Sequence, residues 1–236
     1  MKAAIMQPYF FPYIGYFQLI NSVDVFIIYD DVNFLKKSWI NRNHILLNNT
    51  KHLFTIPCKS ISQNKLINAV QIDKEHKALK AILKTLDTAY RKKAPYYELV
   101  FPMVKNVINS DADNISGLAL ESIVSVCTYL GIKTKILVSS ENFPETMGLG
   151  RSERMISICK TLGANELINA IGGMDIYDKK DFDEHGIRLS FIRMSENLSY
   201  SQGGNQSFIP NLSIIDVMMF NSPEEISQML ESCEFI

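Results

Sequence analysis

The sequence predicts an α/β protein: a three-layer sandwich with a mainly parallel sheet and a helical insertion over residues 74–131. Three observations carry that expectation. Short apolar runs rich in Ile, Val and Phe alternate with amphipathic segments of helical period. The connections are long enough for crossover helices, which parallel strands require. Consecutive helical patterns between Lys74 and Gly131 break the alternation once and read as an insertion into a single domain spanning residues 1–236.

In chain order, Lys2–Met6 reads as a strand that runs into the aromatic turn Gln7–Pro12. A helix follows, with Ile14, Phe17, Leu19 and Ile20 on one face, and then a strand over Val25–Tyr29. His52–Pro57 reads as a third strand closed by its proline, and Ala69–Ile72 as a short one. Leu79, Ile82, Leu83, Leu86 and Tyr90 share a face of a helix over Lys74–Lys92. Further helices are expected from Pro95 to about Val107, with Pro102 as a kink or boundary, and over Ile115–Leu130, stopped by Gly131. Strand Thr134–Val138 ends in the polar turn Ser139–Glu141, and Glu145–Gly150 is loop-like. Ser152–Leu162 is an amphipathic helix with Gly163 as its stop. Glu166–Ala170 and Ile187–Phe191 are the remaining strands, Tyr200–Asn211 is a polar loop, and helices Ser213–Phe220 and Pro223–Ser232 close the chain.

Composition narrows the function. Hydrophobic residues make up 47% and charged residues 21%, the balance of a globular chain, and the formal net charge of −1 removes the broad attraction expected of a nucleic-acid binder. No apolar run reaches the roughly 18 residues of a spanning helix, and the N-terminus lacks a secretory h-region. Cys58, Cys127, Cys159 and Cys233 lack CxxC spacing, which suits a reducing cytoplasm. His44, His52, His76 and His185 show no HxxxH or HxH spacing, so no metal site is expected. Neither GxSxG nor GxxxxGK[ST] occurs, disfavouring a hydrolase elbow and a P-loop. No cofactor is indicated.

Candidate site residues concentrate between Met6 and Arg42, where both strand ends are expected to face one crevice. Gln7, Tyr9, Tyr13 and Tyr16 surround the start of the first helix, and Gly15 permits close approach there. Alternatively Pro8 and Pro12 only shape the turn while the aromatics plug the core. Asp30–Asp31 ends a strand; alternation lets only one side chain face the crevice, and Asp31 is taken as the general base. The competing reading makes an aspartate a turn cap. Arg42 and Lys37 suit a diphosphate, and Trp39 and Asn41 a base or sugar; Lys36 suits solvent. Arg154 stands against the dipole in the first turn of a helix, which an anionic ligand explains, as an acidic neighbour such as Glu153 also would. Gly172, Gly173 and Asp175 form a permissive turn, and Tyr200, Gln202, Asn211 and Ser213 offer polar contacts from a loop, either to a sugar or as ordinary loop polarity.

The runs QPYFFPYIGYFQLI, DVFIIYDDVNF and KKSWINRN resemble the WbqC-like protein family. AYRKKAPYY, RSERMISICKTLGA, IGGMDIY and FIPNLSIIDVMMFN extend the resemblance over nearly the whole chain. Proteins of that family are commonly encoded among genes for O-antigen, the lipopolysaccharide side chain, and other bacterial surface polysaccharides. The resemblance implies a transferase acting on a nucleotide-linked sugar, with an acyl or aminoacyl group, carried for instance as a carrier-protein thioester, passing to a sugar amine. On that reading Asp31 and Arg42 are catalytic. A second resemblance, in the strand–turn–helix–strand opening, is to the Rossmann-like nucleotidylyltransferases of the HIGH superfamily. Tyr13 and Tyr16 stand where those enzymes have histidines, so the fold can be shared without adenylyl transfer. The alternative is therefore a non-catalytic nucleotide-sugar-binding or scaffold protein. A third, glycosyl transfer, would make Asp30–Asp31 a metal site.

Overall fold

A computed structural model describes residues 1–195, 198–204 and 207–236. The chain opens with β1 (Lys2–Met6), α1 (Ile14–Asn21) and β2 (Val25–Ile28). A hairpin follows, β3 (Arg42–Leu47) and β4 (Thr50–Thr55), then the helices α2 (Lys77–Tyr90), α3 (Tyr97–Ile108) and α4 (Ile115–Leu130). Next come β5 (Lys135–Val138), the short α5 (Ser139–Asn142), α6 (Arg151–Leu162), β6 (Glu166–Ala170), α7 (Lys179–Asp183) and β7 (Arg188–Met194). The chain ends with α8 (Ile214–Phe220), α9 (Pro223–Glu231) and β8 (Cys233–Phe235).

The central sheet runs β5-β2-β1-β6-β7-β8 and is parallel except for β8, which pairs antiparallel with β7. Alternation along its strands feeds two separate cores. Ala4, Phe26, Ile28, Ile168 and Ile192 point into one, with α1, the helices α2–α4, α8 and α9. Ala3, Ile5, Val25, Ile27, Leu167 and Leu189 point into the other, with α6 and α7. Helices thus cover both faces, as a parallel sheet demands.

The helix signals work as the sequence suggests. The Asn114 side chain accepts from the Gly117 N–H (2.8 Å) at the start of α4, and Gly131 ends it at φ 69°. Ser222 and Glu225 form a capping box around Pro223, and α3 runs through Pro102 without interruption. Other expectations need correction. His52–Pro57 is not a strand of the main sheet; β4 pairs antiparallel with β3 in its own two-stranded sheet. Ala69–Ile72 is no strand but a 3-10 turn at Ile67–Ala69 followed by isolated bridges, Gln71 to Asn114 and Cys58 to Ile72. Ser139–Glu141, read as a turn, begins α5, and Ile187–Phe191 is followed by the additional strand β8. The loop expected over 200–211 includes residues 205 and 206, outside the described residues.

One feature of the sheet positions the site. β1 pairs with β2 along its length, to Met6↔Ile28. With β6 it pairs only at Lys2↔Glu166 and Ala3↔Leu167, after which the two strands part. The gap lies where strand order reverses, since the chain builds outward through β2 and β5 on one side and β7 on the other. Open α/β sheets bind ligands outside the carboxyl ends of strands at such a switch point. The crevice therefore opens between β1 and β6, not between β1 and β2.

Candidate functional site

A cavity of about 980 Å³ opens there, lined by Met6 and Gln7 leaving β1, by Asn169 to Gly173 leaving β6, and by the start of α1. Its base is the Gln7–Pro12 turn, held by the surrounding structure. The Phe11 N–H donates to Ser122 Oγ (3.0 Å), and the Phe11 carbonyl accepts from Ser213 Oγ (2.7 Å) and Asn43 Nδ2 (2.7 Å). These bonds fix Phe11 at φ 40°, a costly conformation for an aromatic residue. Phe10 and Phe11 are fully buried and plug the core, whereas Tyr9 and Tyr13 line the cavity.

The wall is aromatic and amide-rich. Tyr9, Tyr13, Tyr16, Tyr29, Tyr177 and Trp39 contribute rings, and Gln7, Asn33, Asn43, Asn169 and Asn211 contribute amides. Tyr16 is committed, its hydroxyl donating to the Gln7 carbonyl (2.9 Å). Burial raises the Tyr9, Tyr13, Tyr29 and Tyr177 phenols above their ordinary value, so they stay neutral and act as hydrogen-bond donors. Asn169 Oδ1 accepts from the Ala170 N–H (2.8 Å), leaving its Nδ2 without a protein partner among the described residues. Gly173 packs against that amide; an added Cβ would come within 3.1 Å of it. Arg151 is the cation of the wall, at the first position of α6, where the N–H groups of the opening turn lack intrahelical partners. Among the described residues the wall contains no carboxylate, imidazole, thiol or lysine.

The expected site residues divide into two groups. Gln7, Tyr9, Tyr13, Gly15, Tyr16, Trp39, Gly172, Gly173 and Asn211 come together on the cavity wall. Asp30, Asp31, Lys37, Asn41, Arg42, Arg154, Asp175 and Gln202 do not line it. Asp31 is 3% exposed and paired with the equally buried Arg154, and Ser139 Oγ bonds to it. Asp30 accepts from Ser140 Oγ (2.8 Å), the Ser140 N–H (3.1 Å) and Asn68 Nδ2 (3.2 Å). Both aspartates are thus satisfied inside the protein, tying the end of β2 to α5 and α6. Arg154 also donates to Thr146 Oγ1 (3.0 Å), and its guanidinium lies 4.7 Å from the Tyr29 ring centroid. A buried carboxylate, not a ligand, answers the cation at the start of α6.

Arg42 donates through Nε to the Ser38 carbonyl (2.9 Å), bonds the Lys37 carbonyl and lies 5.6 Å from the Trp39 ring, bracing its own loop. Lys37 is exposed at φ 62°. Asn41 Nδ2 donates to the Ile56 carbonyl (2.9 Å). Gln202 bonds the Ile209 backbone through both amide atoms (2.9 Å each), and Asp175 is exposed outside the cavity. Sequence reasoning missed Tyr29, Asn33, Asn43, Arg151, Asn169 and Tyr177. Two carried a signal: the dipole argument applied to Arg154 holds for Arg151 one turn earlier, and Asn169 is an amide at a strand's carboxyl end.

No group of three or more His, Cys, Asp or Glu among the described residues is placed to hold a metal, and no helix there is long and apolar enough to cross a membrane.

Fold and cavity together define an α/β protein with a mainly parallel central sheet and a ligand-sized hollow at its switch point. The chain belongs to the WbqC-like protein family, whose model matches residues 7–228. It is 30% identical over 235 residues, 98% of either chain, to an uncharacterized protein of Mycobacterium tuberculosis. No solved structure gives a significant match.

Proposed function

We propose that the cavity between β1 and β6 binds a nucleotide-linked sugar and that the protein acts as a cytoplasmic transferase on it in surface-polysaccharide assembly. The observation that carries this reading is the wall itself. Rings at Trp39 and the tyrosines can stack on a base, Arg151 at the head of α6 suits a diphosphate, and neutral amides and phenols suit hydroxyls. The volume is within the range of sites that enclose ligands of that size.

The chemistry that fits this wall is positioning. With Asp31 sealed in an ion pair, deprotonation of a sugar amine by that residue has no geometric basis. Acyl transfer from a thioester to an unprotonated amine needs proximity more than a protein base, because the amine's proton can leave with the departing thiolate. The absence of a general base from the described wall equally favours a second reading, binding without conversion. Incubation with uridine- or thymidine-diphosphate amino sugars and an acyl thioester, followed by product mass, separates the two. An acylated sugar supports transfer, and calorimetric binding without product supports the binding protein. Failure of every nucleotide sugar to bind, in wild type as in Arg151→Ala, removes both.

A further inference from the structure

Large apolar side chains stand exposed around the mouth of the cavity. Leu35 and Trp39 come from one turn, Met147 and Leu149 from a second, and Met174 and Ile176 from a third. All are 37–52% exposed, and Leu35, Trp39, Leu149 and Ile176 also line the cavity, so the three turns ring its opening. Single exposed apolar residues are ordinary, but a concentration of them around one opening marks an interaction surface. The first turn is braced: the Ser38 N–H and Oγ donate to the Leu35 carbonyl (3.3 and 2.7 Å), and the Phe10 N–H donates to the Trp39 carbonyl (3.4 Å).

Charge is segregated toward the same lip. Between Asp31 and Asp73 the chain has no acidic residue, yet it carries Lys36, Lys37, Arg42, Lys51, Lys59 and Lys65. None of these cations makes an ion pair among the described residues. The whole chain has a formal net charge of −1, so the remainder is acidic. Lys36 and Lys37 are exposed within the first turn, and Lys65 is brought beside it where its carbonyl accepts from the Phe34 N–H (2.8 Å). The other two turns set Glu145 and Asp175 against Arg151, so attraction for an anionic surface comes from the lysine side.

We infer that the mouth of the cavity docks on an anionic lipid bilayer, with the lysines against the headgroups and the apolar ring entering the interface. An indole and aliphatic side chains flanked by lysines have the composition of an interfacial anchor: the indole settles at headgroup level and the cations are drawn to anionic lipid. Nucleic acid would offer phosphates to the lysines but nothing to the aliphatic side chains around them. Three turns set around an opening match a broad surface better than one bound peptide segment. The inference goes beyond the nucleotide-sugar reading and does not rest on it.

Co-sedimentation without nucleotide tests this, using vesicles of equal parts phosphatidylcholine and phosphatidylglycerol beside vesicles of phosphatidylcholine alone. Wild type should partition about tenfold or more strongly onto the anionic vesicles and lose most of that preference in about 0.5 M NaCl. Trp39 is the only tryptophan, so its emission reports insertion directly and should shift to the blue on the anionic vesicles. The double variant Lys36→Glu/Lys37→Glu should lose about tenfold or more in binding. Leu149→Ser/Ile176→Ser should lose the blue shift and most of the binding. All four positions are exposed, so neither variant threatens the fold. Leu99→Ser, at an exposed position on α3 outside the cavity, should bind as wild type does. Equal binding to both vesicles, no binding to either, or binding unchanged in both double variants would overturn the inference. Retention of the protein on RNA without vesicle binding would overturn it too and assign the lysines to nucleic acid.

Discussion

Asp31 and Arg154 illustrate how burial changes what a charged residue is for. Their side chains are 0% and 4% exposed, and each is the other's compensation. Removing one partner strands a buried charge, at a cost of about 3–5 kcal/mol, whereas replacing both with neutral groups costs much less. Asp31→Asn and Arg154→Met should therefore each lower the urea midpoint sharply, and the double variant should recover much of the loss. Additive losses would refute the pairing. Asp216 is the contrasting case, a buried carboxylate with no ion-pairing cation among the described residues. It accepts from Tyr90 (2.7 Å) and Tyr200 (2.8 Å) instead, and burial raises its pKa although both phenols pull it down. The folded state thus holds this proton more tightly than the unfolded chain. The group's contribution to stability is fully present at low pH and declines as pH rises from the ordinary carboxylate value through the raised one. Asp216→Asn should accordingly gain stability relative to wild type as pH rises above the ordinary carboxylate value. A difference that is flat with pH would show that folding does not raise the proton affinity of Asp216.

Among elements, the β3–β4 hairpin shows what the sequence offers and how it can be misread. Arg42–Leu47 is polar in its first half and apolar in its second, without strand-like alternation, and is followed by Asn48–Asn49, a pair suited to a tight turn with positive φ at both positions. The structure has φ 50° and 60° there. The strand is hidden in the sequence because its first residue, Arg42, and Asn41 just before it read as ligand contacts. Asn49→Gly should raise stability by about 0.5 kcal/mol, since glycine adopts that conformation without strain; a lower melting temperature would argue that the Asn49 side chain holds the turn. The parallel strands and main helices were legible because apolar period and caps are local signals. Which strands part, and which polar residues face the gap, depends on strand order. Neither Asp31's burial nor the neighbourhood of Asn169 and Gln7 could be read from spacing along the chain.

In the molecule as a whole, strand order reverses between the parallel strands β1 and β6 and leaves a hollow there, while the charged cluster at the end of β2 is interior scaffolding. The most direct measurement is a crystal structure of the protein soaked with the nucleotide sugar it binds most tightly. The account predicts density between the ends of β1 and β6, with the diphosphate beside Arg151 and the base against Trp39 or the tyrosine rings. A ligand seated at Asp30 and Asp31, or bound anywhere outside that hollow, would contradict it.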